Sequence, residues 1–407
     1  MNLQTKHLQQ PIRVLDLFSG CGGLAAGFGL AVTHQGDRFR CLGAIDNWKP
    51  ACESFELNHR VEAMHAPVSL DAVRRVLSSH GDADVICGGP PCQGFSTSGK
   101  RALDDPRNEL VKSFLEVIRE VTPKAFVLEN VVGFTTFQDG RLMDEVMAIS
   151  ESLGFSVFPG VVLASLFGVP QRRRRFILVG IRGGNFRFPL QRVTSAHRQR
   201  SMFESLAPER ELLVDQTVSD GVEAWTFDDA TSDLPTLAAG ESVTSYDCPP
   251  KNEYQLWARS GATQLRDHIA VNHNPAFIEL MSFIPQGRSA MEPEVRKGIP
   301  NRLLPKSGFP NSYARIRGDL PSPTITRNFT TPSSANCIHP RMDRALSIRE
   351  GARCQSFQDT YQFCGSLGDR RLQIGNAVPP LLGKAVGEAL LEALVPMPAP
   401  ISAGGVG

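Results

Sequence analysis

Short apolar runs bounded by polar or turn-forming residues recur through the amino-terminal half of the chain. They predict buried strands at 12–17, 41–45, 84–87, 125–128, 155–164 and 176–181. Helical spacing or helix-forming composition predicts helices at 108–121, 141–153, 347–357 and 381–394. Strands that alternate with helices are typical of the α/β class, so we expect a doubly wound, mostly parallel sheet.

The apolar pattern weakens at about residue 183. From 183 to 327 the chain is polar and punctuated by Pro and Gly, which predicts a smaller, irregular domain beside a first domain of residues 1–182. Residues 328–395 are expected to return to the first domain, with a turn at 373–380 before the last helix. Residues 396–407, which contain several prolines and glycines, are predicted to form a disordered tail.

Composition excludes several classes of protein. The chain has 407 residues, a formal net charge of +1 and nine cysteines without a Cys-x-x-Cys pair, which argues against a disulfide framework and a zinc site. No apolar run approaches the ~20 residues of a membrane span, and the polar amino terminus has no signal core, so we expect a cytoplasmic protein. The balanced charge gives no hint of a nucleic-acid partner, and any basic surface must be local.

A glycine turn follows the first predicted strand and precedes a stretch rich in Ala, Gly and Leu. A doubly wound sheet places its first ligand loop at such a turn, although glycine turns alone are common. Asp46 ends the second predicted strand, where an acid can accept hydrogen bonds from ribose hydroxyls. The sequence therefore favours a nucleoside ligand, with a solvated loop acid as the alternative for Asp46.

Cys92 lies in a loop that leaves the predicted strand at 84–87 and contains two glycines and two prolines. These residues stiffen the loop and allow a close backbone approach, which suits the presentation of a nucleophile. A buried packing cysteine is the alternative. Glu129 and Asn130 follow the strand at 125–128, so Cys92, Glu129 and the glycine turn all lie at the sheet edge where open α/β sheets bind ligands.

Four consecutive arginines precede the apolar run at 176–181. Such a cluster is usually a solvated surface. Because side chains alternate along an extended segment, Arg173 and Arg175 can share one face with Gln171.

With these segments in this order, the chain resembles the cytosine-5 DNA methyltransferases of prokaryotic type. The matching segments are 16–23, 90–93, 129–131, 171–175, 349–357 and 373–379. The resemblance implies transfer of a methyl group from S-adenosylmethionine to carbon 5 of a flipped-out cytosine in double-stranded DNA. It also implies a monomer that needs no metal and serves a restriction-modification system, with a possible association with a restriction endonuclease.

The resemblance assigns a role to each matching residue. The catalytic residues would be Cys92, Glu129, Arg173 and Arg175. The cofactor would be bound by Asp16, Phe18, Gly20, Gly22, Asp46 and Asn376. DNA would be contacted by Gln93, Ser96, Ser98 and Gln171, and residues 183–327 would be the target-recognition domain.

One segment departs from the family pattern. Where the family often has a Gly-Asp-Ile-like turn whose acid holds the adenine amine, this chain has Ala66-Pro67-Val68, so the adenine contact is unassigned. Three alternatives share part of the pattern: a transfer-RNA cytosine-5 methyltransferase, an inactive relative that only binds DNA, and a nicotinamide-dependent oxidoreductase. The oxidoreductase would leave Cys92, Glu129 and the arginines without a role, and the recognised DNA sequence cannot be predicted.

Overall fold

The computed structural model describes residues 10–33, 36–91, 108–189 and 224–395. The strands of its main sheet are β1 (Ile12–Leu17), β2 (Phe39–Asp46), β3 (Ala63–His65), β4 (Val85–Gly88), β5 (Ala125–Asn130), β6 (Ser156–Leu163) and β7 (Arg174–Ile181). They lie in the order β3-β2-β1-β4-β5-β7-β6. Only β7 runs against its neighbours, so the predicted doubly wound, mostly parallel sheet is confirmed.

Helices cover both faces of this sheet and continue into the second half of the chain. In the first half they are α1 (Gly23–Leu30), α2 (Lys49–His59), α3 (Leu70–His80), α4 (Asn108–Val121) and α5 (Arg141–Ser152). In the second half they are α6 (Phe227–Thr231), α7 (Glu253–Ala258), α8 (Pro275–Ser282), α9 (Pro293–Lys297), α10 (Ile348–Cys354), α11 (Leu367–Asn376) and α12 (Pro380–Leu394). Short 3-10 segments cover Val132–Gly140, Ala164–Phe167 and Asn301–Leu303.

Alternation along the strands divides the core into two layers. Leu15 and Leu17 of β1 join the apolar cluster that contains side chains of α3, α4 and α5. Val14 of the same strand joins the cluster on the opposite face, which contains side chains of α1 and α12. Helices α1 and α12 approach each other so closely that a Cβ at Gly27 would lie 2.4 Å from the Pro380 carbonyl oxygen. The carboxyl-terminal helix therefore completes the amino-terminal domain.

One local prediction was wrong, and one short strand of the sheet was not predicted. The three-residue strand β3 was missed because it is too short to show a periodic pattern. Residues 373–376 of the predicted turn belong to α11, and Ala377 is the first extended residue after it. A capping box explains the difference, because the Ser366 hydroxyl accepts from the Asp369 N–H and starts a helix before the Gly- and Pro-containing stretch.

The smaller part of the molecule, from residue 224 to the end of the last short strand at 338, has very short strands. They are β8 (Ser242–Val243), β9 (His268–Ile269), β10 (Ala314–Arg315) and β11 (Asn336–Ile338). Strand β11 pairs with β10, so this packing extends past residue 327, the expected end of the smaller domain. The predicted tail at 396–407 lies outside the described residues.

A buried arginine connects the smaller part to α10. Arg353 donates to Asp233 at 2.5 Å and to Asp359 at 2.7 Å, and all three side chains are fully buried. These ion pairs fix α10 against the segment that follows α6. Because the chain returns to the main sheet after α10, they also anchor that return.

Candidate active site

The polar residues predicted from the sequence gather at one edge of the sheet. The strands β1, β2, β4 and β5 are parallel, and their carboxyl ends carry the glycine loop, Asp46, the start of the Cys92 loop and Glu129 in turn. Ligands bind at this edge in open α/β sheets. The described part of this edge has two halves. One half contains Asp16 and Asp46 beside the glycine loop, and the other half contains Glu129 with Arg173 and Arg175.

The glycine loop turns sharply between β1 and α1. Phe18, Gly20 and Gly22 all have positive φ angles, of 53°, 54° and 89°. The carboxylate of Asp46 accepts the Gly20 N–H at Oδ2, 2.8 Å, and the Trp48 N–H at Oδ1, 2.9 Å. Burial raises the pKa of Asp46, and these N–H groups oppose the rise. Asp46 therefore holds the glycine loop through a hydrogen bond, which argues against the alternative of a solvated loop acid.

Asp16 lies beneath this loop at the end of β1 and is almost completely buried. Burial raises its pKa to about 8, and the nearby charge of Asp46 adds to the rise, whereas the Cys87 thiol and the Ala25 N–H oppose it. Its Oδ2 has no hydrogen-bond partner among the described residues. A buried acceptor without a partner is costly, so this oxygen suits contact with a bound donor or cation.

Glu129 and Arg175 form the centre of the other half. Arg175 Nε lies 2.8 Å from Glu129 Oε1, and the two side chains are only 11% and 12% exposed. Burial raises the pKa of Glu129, while the charges of Arg175 and then Arg173 act against the rise. A Cβ at Gly89 would lie 3.0 Å from Glu129 Oε2, so the backbone of the Cys92 loop passes directly beside this carboxylate.

Asn130 holds the same loop in place. Its Nδ2 donates to the Pro90 carbonyl at 3.0 Å, and its Oδ1 accepts the Val131 N–H at 2.9 Å. Asn130 therefore ties the end of β5 to the loop that leads to Cys92.

Arg173 lies in a different environment from the one that we expected. Its guanidinium donates to the carbonyls of Ile325 at 2.8 Å, Gly375 at 3.0 Å and Ala377 at 3.1 Å, and the side chain is 2% exposed. Burial lowers its pKa, and the charge of Arg175 acts in the same direction. These bonds tie Arg173 to the chain at Ile325 and at 375–377, while its Nε has no hydrogen-bond partner among the described residues, so the catalytic role of Arg173 stays a prediction.

Gln171 also differs from its predicted role. Its side chain is fully buried, and its Nε2 donates to the Cys354 carbonyl at 3.1 Å and to Gln355 Oε1 at 2.8 Å. Its Oε1 accepts the Ile325 N–H at 2.8 Å. In this arrangement Gln171 has no surface to offer DNA, and it connects the segment before β7 to the end of α10.

The remaining predicted residues divide into described and undescribed ones. Asn376 is exposed at the end of α11, and Phe18 is half-buried in the glycine loop. Cys92, Gln93, Ser96 and Ser98 lie outside the described residues.

Sequence reasoning missed two residues that contact the glycine loop from behind. His59, at the end of α2, lies 3.2 Å from the Gly22 carbonyl, and Tyr361 donates its hydroxyl to the Cys21 carbonyl. Tyr361 is 340 positions from Cys21 in the chain, so no local pattern could have connected them.

Neither a metal centre nor a membrane-spanning helix is seen in the described ranges. No three His, Cys, Asp or Glu side chains there are grouped to hold a metal ion. None of the helices there is long and apolar enough to cross a membrane.

Comparison with known proteins adds independent information. The model of the family described as C-5 cytosine-specific DNA methylase matches residues 12–392. The type II methyltransferase M.AgeI of Thalassovita gelatinovora is 35% identical, with 94% of this chain and 100% of the relative covered. The type II methyltransferase M1.HphI of Haemophilus parahaemolyticus is 33% identical, with 93% of this chain and 86% of the relative covered.

Solved structures share the fold at lower sequence identity. An E. coli chain described as a prophage-encoded DNA modification methyltransferase aligns with a TM-score of 0.68 at 21% identity, covering 94% of this chain and 99% of that chain. The Dnmt2 methyltransferase of S. pombe aligns with a TM-score of 0.54 at 17% identity, covering 94% and 99%. At these identities the alignments establish the fold alone.

Proposed function

The chain belongs to the C-5 cytosine-specific DNA methylase family, and from this premise we propose how its residues methylate carbon 5 of cytosine in a specific duplex DNA sequence. The observation that carries the proposal is the buried pair of Glu129 and Arg175, 2.8 Å apart, beside the loop that leads to Cys92. A carboxyl group and a guanidinium in one water-poor pocket can bind the polar edge of a pyrimidine ring.

The half built around the glycine loop fits S-adenosylmethionine, which supplies an electrophilic methyl group when bound. Asp46 retains acceptor capacity for ribose hydroxyls beyond the two N–H groups that it already accepts. The charge of Asp46 makes this half acidic, and a cationic ligand there would favour ionisation of Asp16, whose Oδ2 has no partner among the described residues. Phe18 and Asn376 would contact the adenine and the methionine end, with Gly20 and Gly22 shaping the loop.

The residues of the other half have roles that cytosine chemistry requires. Carbon 5 of cytosine is a weak nucleophile, so the Cys92 thiolate adds to carbon 6 and turns the ring into an enamine. Glu129, whose pKa is raised by burial, shares a proton with ring nitrogen 3 as negative charge develops there. Arg175 donates to the carbonyl oxygen at position 2, and the Pro90 carbonyl accepts from the exocyclic amine. Once carbon 5 carries the methyl group, loss of its proton to water allows the bond between carbon 6 and sulfur to break and releases Cys92.

Access to carbon 6 requires the target base to leave the duplex. Extruding a base costs a few kcal/mol, which contacts in the pocket must offset. Gln93, Ser96 and Ser98 would contact the DNA strand or the vacated space, and residues 183–327 would choose the sequence. Base-edge contacts specify a site whereas phosphate contacts only position the protein, so chemistry and choice can be carried by different parts of the chain.

The biological setting is also a proposal. Type II methyltransferases among the relatives suggest that this chain serves a restriction-modification system, with a restriction endonuclease as a possible genetic partner. We propose a monomer that acts on DNA in the bacterial or archaeal cytosol and needs no metal.

A methyl-transfer assay with the purified full chain tests the function. Labelled S-adenosylmethionine should transfer its methyl group to duplex DNA, and bisulfite sequencing should show methylcytosine at one short sequence. Cys92→Ser should lose this activity because a hydroxyl is a far weaker nucleophile than a thiolate. Methylation of transfer RNA but not of DNA would establish the alternative substrate, and near-normal turnover by Cys92→Ser would exclude the thiolate mechanism.

A further inference from the structure

Two side chains lie behind the glycine loop and contact consecutive carbonyl groups of its backbone. The Tyr361 hydroxyl donates to the Cys21 carbonyl. His59 Nε2 lies 3.2 Å from the Gly22 carbonyl and 3.0 Å from the Tyr361 oxygen. On the same loop, Asp46 accepts the Gly20 N–H.

The hydrogen-bond directions in this cluster follow from its donors and acceptors. Because the Tyr361 proton points to the Cys21 carbonyl, the Tyr361 oxygen accepts from His59 Nε2, which must carry the imidazole proton. The same N–H faces the Gly22 carbonyl. Burial lowers the pKa of His59 to about 4 and raises that of Tyr361, so both side chains are neutral at physiological pH and keep these directions.

The loop and His59 fit each other only with glycine at position 22. A Cβ at Gly22 would lie 2.5 Å from His59 Nε2 and 2.6 Å from the Phe55 ring, and the φ angle of 89° is itself unfavourable for other residues. Gly22 therefore provides space for His59, which the sequence could not show.

Both side chains are held in place from outside the loop. The His59 ring packs against the Phe55 ring at an interplanar angle of 33°, with ring centroids 4.2 Å apart. The segment of Tyr361 is fixed to α2, because Asn58 Nδ2 donates to the Gln362 carbonyl at 2.8 Å and Asn58 Oδ1 accepts the Gln362 N–H at 2.9 Å. The pair therefore forms a rigid support against which the glycine loop rests.

We infer that His59 and Tyr361 are positioning residues that fix the Cys21 and Gly22 carbonyls and thereby set the affinity of the glycine loop for its cofactor. The inference rests on the proposed function, because it takes the loop to bind S-adenosylmethionine. With both carbonyls held from behind, the N–H groups and the Asp46 carboxylate keep one arrangement before the cofactor arrives. Such preorganisation lowers the cost of ordering the loop on binding.

The size of the effect follows from the kind of bond. Substitution of Tyr361 or His59 removes one neutral hydrogen bond and leaves a buried carbonyl oxygen only partly satisfied. This loss corresponds to about a five- to tenfold change in the Kd for the cofactor. A cavity of about 490 Å³ borders His59 and Tyr361, so water has access to these side chains.

Isothermal titration of the full chain with S-adenosylmethionine tests the inference. Tyr361→Phe and His59→Leu should each raise the Kd about five- to tenfold, with kcat at saturating cofactor within about twofold of wild type. His59→Gln, whose amide can place an N–H near the position of Nε2, should recover most of the affinity. Tyr254→Phe is the matched control. The buried Tyr254 hydroxyl donates to the Arg353 carbonyl at 2.6 Å and does not contact the Cys21 or Gly22 carbonyl, so its removal should leave the Kd unchanged.

The outcomes separate this inference from the proposed function. A wild-type Kd for both Tyr361→Phe and His59→Leu would overturn the positioning role while leaving the methyltransferase intact. An equal rise in Kd for Tyr254→Phe at the same loss of Tm would show a general loss of stability and overturn it too. Failure of the wild-type chain to bind S-adenosylmethionine at all would refute the proposed function and, with it, this inference.

Discussion

Asp16 should make the stability of the free protein fall as the pH rises from acid to neutral. Its pKa is raised from the ordinary value of 3.8 to about 8, first by burial and then by the repulsion of Asp46. An acid whose pKa is higher in the folded state takes up a proton on folding. Its favourable contribution to stability is complete below the pKa that the side chain has in the unfolded chain. That contribution is lost as the pH rises through the pKa of the folded chain. The window of this loss is therefore about pH 4 to 8.

The magnitude follows from the width of the chosen interval. Between pH 5 and pH 7 the unfolded side chain is ionised and the folded one is mainly protonated, so the free energy of unfolding falls by about 1.4 kcal/mol per pH unit. Over two units the loss is about 2 to 3 kcal/mol. Asp16→Asn removes the titration, so the stability of the variant relative to wild type should rise by that amount over the interval.

Denaturant unfolding of wild type and Asp16→Asn at pH 5, 6 and 7, followed by circular dichroism without added ligand, measures this difference. The other titrating groups cancel in the comparison. Asp84→Asn is the control, because the pKa of Asp84 is lowered to about 2 and both its folded and unfolded forms are ionised over this range. A difference between Asp16→Asn and wild type that stays constant from pH 5 to 7 would refute a protonated Asp16 in the folded chain.

Two further substitutions test the proposed catalytic pair, Glu129 and Arg175, and the junction between the two parts of the molecule. Glu129→Gln keeps the shape of the side chain but removes its acid, so the single-turnover methylation rate should fall by about 10² or more with little change in DNA affinity. Collapse of DNA binding at an unchanged single-turnover rate would mean that Glu129 only holds Arg175. Arg353→Met leaves Asp233 and Asp359 buried without their shared cation, so the free energy of unfolding should fall by about 3 to 5 kcal/mol in a denaturant titration. A loss below about 1 kcal/mol would show that the two carboxylates are relieved by protonation or water.

The centre of the sheet was predictable because strands such as β4 and β5 are buried on both faces and so appear as continuous apolar runs. The run at 176–181 predicted β7, but its antiparallel direction depends on pairing with β5 and β6, which a run of apolar residues does not encode. The true start of α11 did have a local signal. Ser366 and Asp369 have the spacing of a capping box, and the Gly- and Pro-containing residues after them outweighed that signal in the prediction.

The residues of the site were predictable by type and chain position, whereas their roles depend on partners far away in the sequence. Alternation before β7 predicted one shared face for Arg173 and Arg175, and the charges of both do act on Glu129. An arginine can bind a phosphate, a carboxylate or a set of carbonyls equally well by its chemistry. Arg173 donates to the Ile325 carbonyl, 152 positions away, while Arg175 pairs directly with Glu129, so the two arginines have different direct partners. The difference between the two arginines thus arises from the segment at 322–325, whose place in the fold no pattern near the arginines could indicate.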